Sequence, residues 1–367
     1  MPQPHAARRA RAQAQVAALG ADAILVTSRA NVRYLTGLAS SNAALLVPAR
    51  TDGVLATDSR YAEAARRDSP GLELVVERFI EPALARLAVA RGLLTLGFEA
   101  QEMTVQRYQE LASIEGGPKL VPSGRMIEEL RTVKDEEEIA LIARACAITD
   151  EALAAVLPAI TPGRTEREFA ILLERAMIDR GADALAFESI VASGPNGAIP
   201  HHAPGRRPFA PGDLITIDCG ARYGGYNADM TRTVALGQPA AWQREVYRIV
   251  ATAQRAGVDA AQVGADVAAV DAVARDLIAQ AGHGDHFGHG LGHGVGLEVH
   301  EDPMMGYGRT GTLGNRVPIT VEPGIYLPGR GGVRIEDTLV VRTRPGAAGT
   351  AGSPQMLTTT TRELLVL

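Results

Sequence analysis

The sequence predicts an α/β domain followed by a larger α+β region built from two similar halves. Apolar, strand-like runs alternate with helical patterns through residues 1–125. In the remainder, two capped helical patterns recur about a hundred residues apart, and each is followed by an apolar run that ends in a carboxylate. We therefore expect two domains, residues 1–125 and 126–367, with the acids of the second gathered at one centre.

Length, charge and cysteine content exclude several classes of protein. The 367 residues carry 37 Lys+Arg against 42 Asp+Glu, a net charge of −5. The charges are interspersed, so no nucleic-acid or membrane partner is expected. Cys146 and Cys219 are too few for a disulfide scaffold, which indicates a reducing, cytoplasmic setting. No apolar run approaches the roughly 20 residues that a membrane span needs.

The first region reads as alternating helices and strands. An amphipathic helix over Ala6–Leu19 is predicted to stop at Gly20, and another helical stretch covers Arg60–Arg67. The strand-like runs are Ala23–Val26, Ala43–Val47, Gly53–Ala56, Leu72–Val76 and Leu94–Phe98. This region groups no histidines or carboxylates, so we expect it to act as a cover or in oligomerisation.

The second region begins with charge and contains an internal repeat. The acidic stretch before Glu138 suits a helix start and predicts a long helix to about Val156. Thr165 begins a capping box before a helix that stops at Gly181. Asp266 can cap a matching helix that stops at Gly282. The repeat predicts two similar halves that face each other.

Histidines and acids concentrate in this second region. Asp218 and Asp229 flank the Gly-rich turn of a predicted hairpin, and close carboxylates repel unless they share a proton or a metal. Glu322 and Glu336 lie among apolar residues further along. Seven of the eight histidines fall between residues 201 and 300: His201, His202, His283, His286, His289, His293 and His300. Four acids with histidine predict an oxygen-rich site for two ions of Mn²⁺, Co²⁺, Fe²⁺ or Zn²⁺.

Competing motifs fail on spacing. The glycines of residues 288–296 never satisfy GxGxxG, so a dehydrogenase-type dinucleotide loop is not supported. His300-Glu301 opens like the zinc motif HExxH, but Pro303 would break the required helix and the fifth position is Met304. Ser193 lacks the GxSxG context of a serine hydrolase.

Five motifs stand in order along residues 125–367. They are Ser193-Gly-Pro-Asn196 with Pro200-His201, Ile217-Asp218-Cys-Gly220 with Gly225-Tyr226-Asn-Ala-Asp229-Met-Thr-Arg-Thr233, Gly292-His293-Gly-Val-Gly296 with His300-Glu301, Val321-Glu322-Pro-Gly-Ile-Tyr326, and Val333-Arg-Ile-Glu336-Asp. Together they resemble the pita-bread-fold metallopeptidases, specifically the Xaa-Pro branch of prolidase and aminopeptidase P. A looser match covers Asn31–Gly37 and Thr57–Tyr61. The resemblance implies a pseudo-twofold, curved antiparallel sheet covered by helices, preceded by a creatinase-like α/β domain.

The resemblance also implies a ligand set of Asp218, Asp229, His293, Glu322 and Glu336. Asp218 would chelate one ion, His293 and Glu322 the other, and Asp229 and Glu336 would bridge them. A bridging hydroxide would be the nucleophile, and Mn²⁺ is the expected metal. Glu322 would accept its proton and deliver it to the leaving nitrogen.

Further residues match positions around these ligands. The resemblance implies that His289 and His300 orient substrate and stabilise the oxyanion, and that His201 lies near the scissile bond. Arg334 and Tyr326 match positions outside the ligand shell, where Arg334 can pair with a ligand carboxylate. The remaining three histidines match nothing, and we expect surface or structural roles for His202, His283 and His286.

The implied activity is cleavage of the Xaa-Pro bond in small peptides with proline at the second position, by a homodimer. We favour a dipeptidase (prolidase), with aminopeptidase P, which acts on longer peptides, as the alternative. A non-catalytic binding protein and creatinase are disfavoured because no ligand is missing. Methionine aminopeptidase ranks lower because it needs no such N-terminal domain.

Overall fold

The computed structural model describes residues 4–344 and 351–367 and contains two compact units, residues 1–131 and 132–367. The division falls a few residues after the predicted boundary. The helix over Met126–Thr132 is tied to the first unit, where Arg131 donates to Asn31 and Tyr34 donates to the Leu130 carbonyl. No helix within the described ranges has the length and apolar character to cross a bilayer.

The first unit is an α/β domain around a six-stranded mixed sheet, which confirms the predicted class. Its strands are β1 (Ala23–Val26), β2 (Ala43–Pro48), β3 (Val54–Thr57), β4 (Glu73–Val76), β5 (Thr95–Phe98) and β6 (Lys119–Pro122). Its helices are α1 (Pro4–Leu19), α2 (Arg29–Thr36), α3 (Ala62–Asp68), α4 (Ile80–Ala90), α5 (Val105–Ala112) and α6 (Met126–Thr132). The strand order is β4-β3-β2-β1-β5-β6. The pairs β1–β2 and β2–β3 are antiparallel, and the other three are parallel.

Over residues 132–344 and 351–367, the second unit combines four α-helices with short strands in several sheets. The helices are α7 (Glu136–Val156), α8 (Glu166–Asp179), α9 (Ala241–Ala260) and α10 (Val267–Gln280). The strands are β7 (Ala184–Leu185), β8 (Ile190–Ser193), β9 (Leu214–Cys219), β10 (Ala221–Tyr223), β11 (Tyr226–Asn227), β12 (Met230–Ala235), β13 (Gly292–Gly294), β14 (Glu301–Met305), β15 (Val317–Val321), β16 (Gly324–Leu327), β17 (Gly331–Arg334), β18 (Asp337–Val341) and β19 (Gln355–Met356). All their pairings are antiparallel.

The two predicted capped helices are both present. Thr165 and Glu168 form a reciprocal capping box at the start of α8, and the Asp266 carboxylate accepts from two backbone amides at the start of α10. Such caps typically contribute about 1 kcal/mol each. Thr165 forms a backbone bridge with Pro208, and Asp266 forms one with Thr312. A pseudo-twofold superposition of the two helices remains a prediction.

Each half of this unit has its own apolar core, which places a strand over a helix pair. In the first half, Phe169 of α8 and Ile217 of β9 belong to one buried cluster. In the second half, Val250 of α9 and Ile319 of β15 belong to another. Since β9 carries Asp218 and β15 runs directly into Glu322, the two cores fix the strands that present these acids.

Candidate metal centre

A cavity of about 640 Å³ in the second unit brings the predicted site residues together. Side chains from both halves line it. The lining includes Asp218, Asp229, His293, Glu322 and Glu336, together with His201, His289, His300 and Arg334. Tyr326 is joined to this group by hydrogen bonds to His289 and Arg334.

A hairpin positions the two aspartates. Strands β9 and β12 pair antiparallel with Asp218 opposite Thr231, so Asp229 lies just beyond the paired stretch. The backbones approach closely here, because a Cβ on Gly220 would lie 1.9 Å from the Ala228 carbonyl oxygen. The turn between β10 and β11 uses Gly224 and Gly225 at φ values of 58° and 87°, the left-handed conformation that a tight hairpin turn requires.

Three ligand-type atoms lie close enough to hold one ion. One atom from each of Asp229, His293 and Glu336 lies within 4.8 Å of the other two. His293 Nε2 is 3.6 Å from Asp229 Oδ2 and 3.3 Å from Glu322 Oε1. The opposite ring nitrogen, Nδ1, donates to the Gly294 carbonyl at 3.0 Å, and this hydrogen bond directs Nε2 toward the acids.

The buried carboxylates perturb one another strongly. Burial, then the charges of neighbouring acids, raise the pKa of Asp229 and of Glu336 well above the usual range. Burial raises the pKa of Asp218, although Arg334 opposes it. Burial also acts to raise the pKa of Glu322, but the hydrogen bond and charge of His293 outweigh it and the pKa is lowered. Acids this close and this buried therefore need either protons or bound cations to stay together.

One buried carboxylate oxygen is available to bind a cation. Asp218 Oδ1 is buried and has no hydrogen-bond partner among the described residues. An unpaired buried carboxylate oxygen is costly unless a cation compensates it. Oxygen-rich ligands with one imidazole suit Mn²⁺, Fe²⁺, Co²⁺ or Zn²⁺. The donor set therefore fits divalent metal.

A hydrogen-bonded chain surrounds the acids. Arg334 donates to Asp218 Oδ2 at 2.7 Å, to the Thr231 hydroxyl at 3.1 Å and to the Tyr326 hydroxyl at 3.0 Å. Thr231 in turn donates to Glu336 Oε2 at 2.7 Å. Thr231 therefore links Arg334 to a second carboxylate, and its place beside the acids was not predicted from the sequence.

The histidines that line the cavity differ in the hydrogen bonds of their ring nitrogens. His289 Nδ1 donates to the Gly290 carbonyl at 2.8 Å, which leaves Nε2 to accept from the Tyr326 hydroxyl at 2.8 Å. Burial raises the pKa of Tyr326 to about 12, so the phenol keeps its proton. Burial also lowers the pKa of His289 and that of His300. Within the described residues, neither His201 nor His300 has a hydrogen-bond partner for its ring.

The other three histidines lie outside the cavity lining. His202 Nε2 contacts the buried Glu166 carboxylate at 2.8 Å. The rings of His283 and His286 pair at a centroid distance of 5.5 Å. A structural or surface role for these three histidines remains a prediction.

Sequence reasoning missed two cation contacts near the site. Lys134, one of only two lysines, forms a buried ion pair of 2.9 Å with Glu301, the residue after His300. Arg275 on α10 pairs with Asp271 and donates to the His289 carbonyl at 2.7 Å. No signal in the sequence indicated the first, whereas the i, i+4 spacing of Asp271 and Arg275 was a local signal for their pairing.

Comparison with known proteins extends over both units. Residues 140–343 match metallopeptidase family M24, and residues 8–133 match the creatinase/prolidase N-terminal domain. The chain is 37% identical over 346 residues to a Xaa-Pro dipeptidase of Pyrococcus furiosus, covering 94% of this chain and 95% of that one.

Solved structures agree with this match. A Xaa-Pro dipeptidase from Bacillus anthracis is similar at a TM-score of 0.93 and 34% identity, covering 99% of this chain and 100% of that one. An X-Pro aminopeptidase from Thermotoga maritima is similar at a TM-score of 0.89 and 35% identity, covering 98% and 99%. The acidic cavity and these similarities lead to one conclusion: the chain belongs to metallopeptidase family M24, with a creatinase/prolidase-type N-terminal domain.

Proposed function

We propose that this enzyme hydrolyses the Xaa-Pro bond at the N-terminus of short peptides, using two divalent metal ions, with Mn²⁺ foremost. The observation that carries the proposal is the buried acid cluster with its unpaired Asp218 Oδ1. Asp218, Asp229, His293, Glu322 and Glu336 would hold the ions. Similarity to the Pyrococcus furiosus Xaa-Pro dipeptidase supports the substrate class.

Glu322 is the proposed general base. When bound, the metals would polarise the scissile carbonyl and lower the pKa of water toward neutrality. The lowered pKa of Glu322 keeps its carboxylate ionised and able to accept a proton from the attacking water. The same group then returns that proton to the proline nitrogen as it leaves.

The histidines divide into two roles. The rings of His201 and His300 make no hydrogen bond among the described residues, although the His300 ring lies edge-on to that of His293 at a centroid distance of 4.3 Å. We therefore assign both histidines to contacts with the substrate carbonyl and its developing negative charge. Both nitrogens of His289 are occupied, by Gly290 and Tyr326. The resemblance implies that His289 orients substrate and stabilises the oxyanion; because both of its nitrogens are engaged, we propose instead that it holds the Tyr326 side chain in place beside the cavity.

An arginine on the cavity wall favours the dipeptidase. Arg275, Arg309 and Arg334 line the cavity, and the first and third are engaged with Asp271 and Asp218. Within the described residues, the Arg309 guanidinium has no hydrogen bond or ion pair. A free guanidinium suits the terminal carboxylate of a dipeptide, which lies one residue beyond the scissile bond. A longer peptide carries an uncharged amide there.

The test combines metal depletion with an Arg309→Gln variant. Chelator-treated enzyme should be inactive, and Mn²⁺ should restore hydrolysis of Xaa-Pro faster than that of Xaa-Pro-Yaa or Xaa-Ala-Yaa. Loss of a charge-assisted hydrogen bond, worth about 1.5–3 kcal/mol, should raise the dipeptide KM in Arg309→Gln roughly 10- to 100-fold. The Xaa-Pro amide is the control substrate and should be hydrolysed equally by both enzymes. Preference for Xaa-Pro-Yaa, unchanged in Arg309→Gln, would favour aminopeptidase P.

A further inference from the structure

The segment that carries His201 is held at both ends by one buried carboxylate. Glu166, the first residue of α8, is completely buried. Its Oε1 accepts from the Ser193 amide at 2.8 Å and from the Asn196 side chain at 2.9 Å. Its Oε2 accepts from His202 Nε2 at 2.8 Å and from the Gly205 amide at 3.0 Å.

These contacts close a loop around the cavity residues. The partners lie on both sides of His201, and Arg334 donates to the Pro200 carbonyl at 3.3 Å in the middle of the segment. The Ser193 hydroxyl adds a further donor to Glu166 Oε1 at 2.7 Å. Burial acts to raise the pKa of Glu166, but hydrogen bonds from Asn196, His202 and Ser193 outweigh it and the pKa is lowered. The carboxylate therefore stays ionised, and charge-assisted hydrogen bonds are the stronger kind.

We propose that Glu166 is a positioning residue for the reaction, because it fixes residues 193–205 so that His201 reaches the substrate carbonyl. The proposal rests on the function proposed above, in which His201 contacts the substrate. His202 serves as an anchor to Glu166 and not as a site residue. A misplacement of about 1 Å of a contacting group costs on the order of 100-fold in rate, so a rigid loop has a direct catalytic value.

A double-mutant cycle tests whether Glu166 acts through His201. Glu166→Gln keeps the size of the side chain but turns an amide toward donors. It should lower kcat about 10- to 100-fold, the usual effect of losing an outer-shell partner, with two metals per chain and KM little changed. In the His201→Ala background, Glu166→Gln should cause almost no further loss. An equal loss in both backgrounds, or no loss in either, would overturn the proposal.

Two further variants keep the result interpretable. His202→Phe removes one anchor and leaves the carboxylate in place, so it should reproduce a smaller loss of kcat with the same dependence on His201, even where Glu166→Gln fails to fold. Asp150→Asn is the matched control, since Asp150 accepts four hydrogen bonds from Thr359 and Thr360, away from the cavity. Asp150→Asn should lower the melting temperature and leave kcat unchanged. A loss of kcat equal to that in Glu166→Gln would contradict the proposal.

The proposed function is tested separately in the same assays. The cycle uses whichever dipeptide the unaltered enzyme hydrolyses fastest. A failure of the unaltered enzyme to hydrolyse Xaa-Pro counts against the proposed substrate, whereas the ratio between the two backgrounds reports only on the link from Glu166 to His201.

Discussion

Arg334 donates a hydrogen bond of 2.7 Å from Nη2 to Oδ2 of Asp218, while Oδ1 of the same carboxylate is buried and unpartnered among the described residues. The arginine thus occupies one oxygen and leaves the other without a hydrogen-bond donor. Its charge also opposes the effect of burial, which raises the pKa of Asp218. The pair orients one predicted ligand and favours its ionised form.

We expect Arg334→Lys to weaken metal binding. A lysine keeps the charge but cannot reach Asp218, Thr231 and Tyr326 together, because it lacks the planar fork of the guanidinium. Loss of such an outer-shell partner should lower Mn²⁺ affinity about 10- to 100-fold, measured by titrating Mn²⁺ into stripped enzyme. Arg342→Lys is the control, since Arg342 pairs with the exposed Glu136. Equal affinities in the two variants would contradict the role given to Arg334.

Metal should stabilise the protein more as the pH rises. The raised pKa values of Asp229 and Glu336 mean that the folded, metal-free protein holds protons that the unfolded chain releases near pH 4. The folded state then binds more protons than the unfolded one, so stability of the stripped protein falls with increasing pH above that point. Bound cations remove this penalty. The gap in melting temperature between Mn²⁺-loaded and stripped enzyme should be larger at pH 8 than at pH 5.

The double variant Asp229→Asn, Glu336→Gln provides the control for this pH dependence. Without the two carboxyl groups, the stability of the stripped protein should fall much less between pH 5 and pH 8. A temperature gap that stays constant with pH in the unaltered enzyme would show that the cluster does not titrate in this way.

Local signals made part of this structure predictable. The capping box at Thr165 and the stop at Gly181 lie within one helix length, and α8 forms between them. The apolar run before Asp218 is likewise a strand. In these cases, the determining interactions join residues a few positions apart, which a sequence pattern records.

The contacts that complete the site are of another kind. Glu166 meets His202 and Lys134 meets Glu301 across long separations in the chain, and no periodicity links such partners. Acidic residues are common in the first turn of a helix because they interact favourably with the helix dipole. The sequence around Glu166 therefore does not indicate that this side chain is buried against the segment that carries His201. The individual metal ligands could be predicted because the five sequence motifs occur in the same order as in the family. The spacing of acids and histidines alone predicted only an acidic cluster.

Removal of one partner from the buried Lys134–Glu301 ion pair should destabilise the fold strongly. The two side chains are 1% and 5% exposed, so replacing Lys134 removes a cation from beside a buried carboxylate. We expect Lys134→Met to lower the free energy of unfolding by about 3–5 kcal/mol in urea titrations. Arg144→Met breaks the half-exposed pair with Glu151 and should cost less than about 1 kcal/mol. Similar losses in the two variants would contradict a special role for the buried pair.

Glu322→Gln and His300→Ala separate proton transfer from substrate contact. Pro323 restricts the backbone before it, which holds Glu322 directly after β15. Glutamine keeps the volume and one coordinating oxygen but cannot accept the proton, so kcat should fall by roughly two to four decades, the span of general acid–base catalysis. His300→Ala should also lower kcat, through lost contacts to the oxyanion, with both metals retained.

Metal content must be measured beside the kinetics, because Glu322 is also a proposed ligand and a lost ion would mimic a lost base. The decisive comparison is made at saturating Mn²⁺, where each variant is assayed with its stoichiometry known. Two metals per chain together with the large fall in kcat identify Glu322 as the proton acceptor. Two metals per chain with near-normal kcat would show that Glu322 is not the proton acceptor. The acceptor would then be a histidine whose ring nitrogen makes no hydrogen bond to the protein. His300, whose pKa is lowered by burial and which is therefore neutral at pH 7, would then be the first candidate.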